Sequence, residues 1–257
     1  IKIMHPELFS IGPLTLRTYG LFVALGCLAG LATAIRLGKS KGLDSNIILD
    51  MGFIIILSAL IGSRLLYIII NLPNYLANPL DMLKIWEGGL VFSGGLIAVI
   101  IVVLFYIRKY NYNIWTIGDL WSPAASIGEG IGRIGCFFAG CCYGRHCDLP
   151  WAVTFTDPKT IAIPDIPLHP TQIYSFLSGM IIFAVLMVIH SKRKYEGQVF
   201  LWFLILHSTA RLFLEQFRGD SRGSVFNDTL TMTQLVALII LFGAVAMLFR
   251  QRAVLKK

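Results

Sequence analysis

"IILDMGFIIILSALIGSRLLYIIIN", residues 47–71, carries only two charged residues, Asp50 and Arg64. A hydrocarbon core of roughly 30 Å is crossed by about 20 helical residues. The stretch is therefore long enough and apolar enough to span a membrane. Its two charges do not cancel along the helix. At 1.5 Å per residue Asp50 and Arg64 lie roughly 21 Å apart, so Arg64 needs a partner from elsewhere.

Six further stretches of this kind occur, at 18–36, 88–107, 114–140, 171–191, 197–217 and 229–249. The one at 114–140 is the least regular. It holds Asp119, Pro123 and a run of glycines, which predicts a kink or a break. The whole chain is 56% hydrophobic and 14% charged, whereas a soluble domain carries about a quarter charged residues. The fold class expected is an all-α integral membrane protein with about seven transmembrane helices. Residues 1–257 read as a single membrane domain with a small loop subdomain at 141–170. The first apolar stretch lacks a small-x-small exit and reads as a retained helix rather than a cleaved leader.

Orientation follows from the basic residues in the connections. One side holds Arg36, Lys39 and Lys41, then Arg108 and Lys109, then Lys192, Arg193 and Lys194, then Arg250, Arg252, Lys256 and Lys257. The other holds Lys2, Arg17, Lys84, Arg145, Lys159, Arg218 and Arg222. The richer side is cytoplasmic by the positive-inside rule. The N-terminus is then expected outside, the C-terminus inside and the 141–170 loop outside. The net charge of +8 is spent on topology, so nucleic acid is not an expected partner.

With that orientation the unusual polar residues gather in the outer half of the bilayer. Tyr19, Arg64, Glu87, Glu129, Arg133, His169, Gln172, His207, Arg211, Glu215 and Arg218 all fall there. Ionisable groups inside spans are costly and face cavities or partners, which predicts one polar cavity near the outer face. His207, Arg211, Glu215 and Arg218 recur at helical spacing and form one stripe. Arg211 with Glu215, and Arg133 with Glu129, stand at i, i+4 and are placed to pair.

Five short motifs carry a resemblance. "LRTYGLF" (16–22), "EGGLVFSGG" (87–95), "GRIGCFFAGCCYGR" (132–145), "HPTQIY" (169–174) and "RLFLEQFR" (211–218) resemble, in order and spacing, the prolipoprotein diacylglyceryl transferases. The resemblance implies a multi-pass enzyme of the bacterial inner membrane. It would move the diacylglyceryl group of phosphatidylglycerol to the thiol of a lipobox cysteine in a prolipoprotein signal peptide, releasing glycerol phosphate. Tyr19, Arg133, Gly144 and Arg211 fall on positions important in that family, with Glu215 and Arg218 in support. The chain departs from the family's common pattern at Glu87 (commonly His), at Cys136 and Cys141 (commonly Asn and Glu) and at Ser175 (commonly Glu).

The chemistry expected of these residues is specific. Arginine holds phosphate through paired, charge-assisted hydrogen bonds. Arg133 and Arg211 are expected to steady the leaving phosphate, and their rival role is a structural ion pair with Glu129 or Glu215. Arg64 is a third candidate phosphate contact. An acceptor thiol must lose its proton, with Glu87 and His169 as the candidate bases. Gly132 and Gly144 would allow close approach. Tyr19, Cys136, Gln172, Glu215 and Arg218 are the remaining candidate substrate contacts.

Cys136, Cys141, Cys142 and Cys147 are spaced C-x4-C-C-x4-C, which is not a usual zinc pattern. Apolar packing, or a disulfide involving Cys147, ranks ahead of a metal. No metal or organic cofactor is expected. Phosphatidylglycerol, other membrane lipids and prolipoprotein signal peptides are the expected partners, and the default state is a monomer. A diverged paralogue with another acceptor is the alternative, motivated by Glu87, Cys136 and Cys141. A lipid-binding or transport protein fits less well, because no internal repeat is evident and the polar residues sit at one face.

Overall fold

Long apolar segments in this chain form helices because a helix satisfies its backbone hydrogen bonds internally. A computed structural model describes residues 6–11, 14–84, 88–220, 223–225 and 230–254. A hairpin of β1 (Glu7–Ile11) and β2 (Leu14–Arg17) leads into α1 (Thr18–Lys39). Then come α2 (Ser45–Ile70), a short α3 (Leu72–Ala77), a 3-10 turn (Pro79–Leu83), α4 (Phe92–Lys109) and α5 (Ile114–Ala139). Two-residue strands β3 (Val153–Thr154) and β4 (Pro167–Leu168) pair antiparallel before α6 (Thr171–Ser191) and α7 (Gln198–Glu215). A second small pair, β5 (Ser224–Val225) and β6 (Leu230–Thr231), precedes α8 (Met232–Val254).

Five of these helices are long and apolar enough to cross a membrane: α1, α2, α4, α6 and the Met232–Gln251 part of α8. Large apolar side chains such as Phe53, Ile69, Phe105, Ile181 and Phe242 are exposed, the inverse of a soluble surface. The chain is a mostly helical membrane protein. The other two long helices, α5 and α7, are the ones that carry polar stripes.

The chain divides into two compact units, Ile35–Ile117 and the combination of Ile1–Ala34 with Gly118–Lys257. In the first, α2 packs along α4 with glycine against glycine. A Cβ on Gly62 would meet the Gly94 carbonyl oxygen at 2.6 Å, and one on Gly94 would meet that of Gly62 at 2.4 Å. Helix α4 begins at Phe92 rather than at 88, because Gly88 and Gly89 have φ of 97° and 74°. A right-handed helix has no place for those angles.

The second unit is organised by α5. Asp119, Ser126, Glu129 and Arg133 fall on one face of this helix at spacings of 7, 3 and 4 residues, close to whole turns. Each reaches out along that face or across to a neighbour. The fully buried Asp119 carboxylate accepts from the backbone N–H of Gly197 and of Phe200, both at 2.9 Å, and so caps the start of α7. Carboxylates there also complement the positive end of the helix dipole. Ser126 donates to the Gly179 carbonyl of α6 at 2.9 Å. On another side α1 crosses closely, where a Cβ on Gly26 would stand 2.5 Å from the Gly128 carbonyl oxygen. Of the kink or break expected near Pro123, the break does not occur. The helix runs through it from Ile114 to Ala139, with Pro123 itself buried.

Ile182 and Leu186 of α6 pack against Val199 of α7, backed by Trp202, Phe203 and Leu206. Helix α7 also lies against α8. The loop between α5 and α6 has its own small core, in which Phe155, Ala162 and Leu168 are buried beneath Tyr143 and Val153.

Candidate functional site

Three helices leave a cleft of about 360 Å³, its open mouth included. Its wall is Ser126, Glu129 and Arg133 from α5, Ser175, Ser178, Gly179 and Ile182 from α6, and His207, Ala210, Arg211 and Leu214 from α7. Arg133 and Arg211, from separate helices, thus line one hollow. The carboxylate of Glu129 stands between α5 and α7. Its Oε1 accepts from Arg133 Nη2 at 2.8 Å and its Oε2 lies 2.8 Å from His207 Nε2. Arg211 pairs with Glu215 at 2.7 Å. Both pairs foreseen at i, i+4 are formed.

The Glu215 carboxylate is fixed from a second direction. Thr231 Oγ1 donates to Glu215 Oε1 at 3.0 Å and accepts from the N–H of Gln234 at 3.2 Å, while Gln234 Oε1 accepts from the N–H of Thr231 at 2.9 Å. This reciprocal pair is a capping box at the start of α8. The end of α8 nearest the cleft is thereby tied to the Arg211–Glu215 pair.

Beyond the helix ends, backbone meets backbone. Gly144 donates to the His169 carbonyl at 3.0 Å, Arg145 to Phe217 at 2.9 Å, His169 to Arg145 at 3.0 Å and Gly219 to Tyr143 at 3.2 Å. Gly144 has no room for a side chain. A Cβ there would lie 2.4 Å from the His169 Cβ, 2.6 Å from its carbonyl oxygen and 2.7 Å from that of Phe217. Arg218, bridged to Gly144, makes two hydrogen bonds to Asp220 at 2.7 and 2.6 Å.

The three thiols of Cys136, Cys141 and Cys142 lie within 4.8 Å of one another. Cys147 is buried and stands outside this group, and no disulfide joins any of the five cysteines. The two carbonyls of the paired cysteines are held by the first turn of α6. Thr171 Oγ1 donates to Cys142 at 2.7 Å and Gln172 Nε2 to Cys141 at 2.8 Å. Cys142 has φ of 62°, a left-handed conformation uncommon outside glycine. Its sulfur stands 4.0 Å from Arg133 Nη1. Hydrogen bonds from the Cys136 and Cys141 thiols, and the nearby Arg218 guanidinium, hold the Cys142 thiol below its ordinary range.

Other expected site residues lie at varied distances from this centre. Gln172 is fully buried beside Cys141, and its Oε1 has no hydrogen-bond partner among the described residues. His169 is not part of the cleft wall. Its Nδ1 is 3.1 Å from the Tyr174 hydroxyl, and its ring meets Phe217 edge to face at 5.2 Å. Burial, with the Arg145 charge second, pushes the His169 imidazole below its ordinary range. Tyr19 opens α1, half exposed, with its backbone against Gly135. Gly132 faces open space rather than a close neighbour. Glu87 lies outside the described residues.

Arg64 has another task. In its own unit it donates to five backbone carbonyls: Met82 through Nε, Gly88 and Gly89 through Nη1, and Asp81 and Lys84 through Nη2, at 2.7 to 3.3 Å. A guanidinium has five N–H donors, so all are committed and none is left for a phosphate. Tyr67 and Tyr75 lie against the same group. The partner sought for Arg64 is therefore a loop backbone, not Asp50.

Sequence patterns did not reveal the Glu129–His207 contact or the Asp119 cap, since each joins positions about 80 residues apart. The polar stripe on α5 was the available signal.

The family model described as "Prolipoprotein diacylglyceryl transferase" matches residues 6–250. The chain is 36% identical over 235 residues to a phosphatidylglycerol–prolipoprotein diacylglyceryl transferase of Clostridium tetani, covering 91% of this chain and 93% of that protein. It is 35% identical over 255 residues to the protein of that name from Solidesulfovibrio magneticus, covering 93% and 94%. With the Geobacter sulfurreducens protein of that name it shares 32% over 258 residues, covering 98% and 97%.

Proposed function

The chain belongs to the prolipoprotein diacylglyceryl transferase family, and from that premise we propose how its cleft performs the transfer. The enzyme moves the diacylglyceryl group of phosphatidylglycerol to prolipoproteins. Our reading is that all seven long helices span the bacterial inner membrane, with the N-terminus and the 141–170 loop outside and the C-terminus in the cytoplasm. It takes 1–257 as one membrane domain acting as a monomer. The distribution of basic residues supports that orientation.

The phosphate of phosphatidylglycerol lies between Arg133 and Arg211. The thiolate of the lipobox cysteine attacks the glyceryl carbon that bears the phosphodiester oxygen. A C–S bond forms, the C–O bond breaks, and the electron pair stays on the phosphate oxygen of the departing glycerol phosphate. Charge grows on that oxygen as the bond breaks, and donors already fixed in a poorly hydrated cleft stabilise it most. Glu129 and Glu215 hold the two guanidinium groups in place, so little reorganisation is needed. His169 and Glu87 are the bases proposed for the thiol proton. Tyr19, Gly144, Gln172, Cys136 and Arg218 shape the acceptor side, at the joined ends of α1, α5, α6 and α7.

The observation that carries this reading is the shared cleft of Arg133 and Arg211. The test is purified protein with phosphatidylglycerol and a lipobox peptide, with both products weighed by mass spectrometry. Diacylglyceryl-peptide and glycerol phosphate are expected in equal amounts. Lipid bound but never cleaved would sink the transfer, and cleavage without peptide modification would favour another acceptor.

A further inference from the structure

Three thiols gathered at the joined helix ends are more than packing requires. We propose that Cys136, Cys141 and Cys142 form a binding site for one thiophilic divalent ion, zinc by preference, whose open fourth position takes the thiol of the acceptor peptide. The inference rests on the transfer reading above and specifies how its acceptor thiol is held.

The geometry suits such an ion. Zinc binds thiolate sulfur at about 2.3 Å in a tetrahedron, which sets the sulfurs about 3.8 Å apart. The three sulfurs already lie within 4.8 Å of one another, so closing on an ion needs side-chain rotation rather than backbone travel. The backbone beneath them is fixed. Thr171 and Gln172 hold the carbonyls of Cys142 and Cys141, and the Cys141 N–H donates to the Cys136 carbonyl at 3.1 Å. Cys142 is kept at a positive φ, a strained conformation of the sort found at functional sites.

Charge and chemistry agree with the geometry. Soft thiolate sets select zinc and similar ions over calcium or magnesium. Three thiolates and a divalent ion carry a net charge of −1, and a bound substrate thiolate makes it −2. Arg133 stands 4.0 Å from the Cys142 sulfur, and the Arg218 guanidinium also bears on it. N–H groups outside a metal's own ligands orient those ligands and offset their charge. Three protein ligands plus one open position is also the pattern of zinc sites that act on a substrate.

The consequence is a division of labour. Coordination makes the peptide thiol more acidic, its proton passes to the base of the transfer reading, His169 or Glu87, and a metal-held thiolate is left. Because Arg133 touches the thiol cluster on one side and lines the cleft on the other, that thiolate is delivered beside the lipid phosphate.

The test uses the full chain in detergent, stripped with chelator and reloaded with zinc or with cobalt(II). One metal per chain is expected by elemental analysis. Cys136→Ser and Cys141→Ser should each weaken binding by at least about 10-fold. In the cobalt protein the thiolate-to-metal charge-transfer band should grow by about a third when a lipobox peptide supplies a fourth thiolate. A peptide with serine in place of its cysteine should leave the band unchanged. The band measured on the unaltered protein keeps the test decisive even where a serine variant fails to fold. No retained metal, retention in both variants as full as in the unaltered protein, a native Cys136–Cys141 disulfide, or a band indifferent to the peptide thiol each overturns the proposal. Transfer by a metal-free protein overturns it and leaves the transfer reading intact. Metal and peptide thiol bound, with phosphatidylglycerol left whole, uphold this site and overturn the transfer reading.

Discussion

His207 Nε2 stands 2.8 Å from Glu129 Oε2, and the other oxygen of that carboxylate holds Arg133 at the same distance. One acid therefore joins α7 to α5 and fixes the direction of a guanidinium in the cleft. Glu129→Gln keeps the size and loses the charge. Turnover should fall by up to about 100-fold, since misplacing a positioning group by about 1 Å has that effect. Thermal unfolding of the purified variant separates this from instability. Full turnover would make the bridge a structural tie only.

Arg133→Lys and Arg211→Lys retain a positive charge but lose the planar fork. If the two groups hold the lipid phosphate, each variant should lose about 10²–10³ in turnover, the usual cost of removing one donor to a developing oxyanion. The measurement is initial rate of glycerol phosphate release at saturating lipid. Near-normal rates in both would return the arginines to plain ion pairing with Glu129 and Glu215.

The helices were legible in the sequence because apolar runs of membrane length leave few alternatives. The stretch foreseen at 171–191 is α6 to the residue. The start of α4 was missed because Gly88 and Gly89 take angles that hydropathy does not encode. The cleft was half legible: Arg133, Arg211, Glu129 and Glu215 fell at helical spacings that foretold their pairs. Arg64 was not, because its partners are carbonyl oxygens 17 to 25 residues away and every residue has a carbonyl. The gathering of three thiols was also hidden, because the turn at Gly140 folds Cys141 back onto Cys136 in a way the linear spacing does not resemble.

His169 gives a pH test. Its pKa is pushed down by burial and then by the Arg145 charge. The ring therefore stays neutral, and able to accept a proton, to below its ordinary value of about 6.5. Transfer that depends on His169 should hold through neutral pH and fall only beneath that value. The acid limb should vanish in His169→Gln, at a reduced rate. The same shift means that the unfolded chain protonates first, so stability also declines as pH drops through the ordinary range. An unchanged acid limb in the variant would move the proton to Glu87.

Arg64→Gln should act on stability rather than on chemistry. It strands several carbonyls that now share one buried guanidinium, and each hydrogen bond to a charged group contributes about 1.5–3 kcal/mol. A loss of about 3 kcal/mol or more is expected, seen as poor accumulation and a lower unfolding temperature. The protein that does fold should keep its specific activity. Normal stability with lost turnover would restore Arg64 as a lipid contact.

Gly144→Ala tests whether the joined helix ends set the geometry of the cleft. The methyl group would meet the His169 Cβ at 2.4 Å, the His169 carbonyl oxygen at 2.6 Å and the Phe217 carbonyl oxygen at 2.7 Å. Both oxygens belong to backbone, so neither can rotate away. The chain must part there, which stretches the bonds from Gly144 to His169 and from Arg145 to Phe217. Overpacking of this kind costs about 1–3 kcal/mol. His169 opens the approach to α6, and Phe217 follows the Arg211–Glu215 turn of α7, so parting them moves one wall of the cleft against another. Turnover should therefore fall by more than the stability loss explains, measured on protein held well below its unfolding temperature. Gly132→Ala is the control, because a Cβ there meets nothing within 4 Å. Equal losses in the two variants would show that backbone closeness at Gly144 does not position the site.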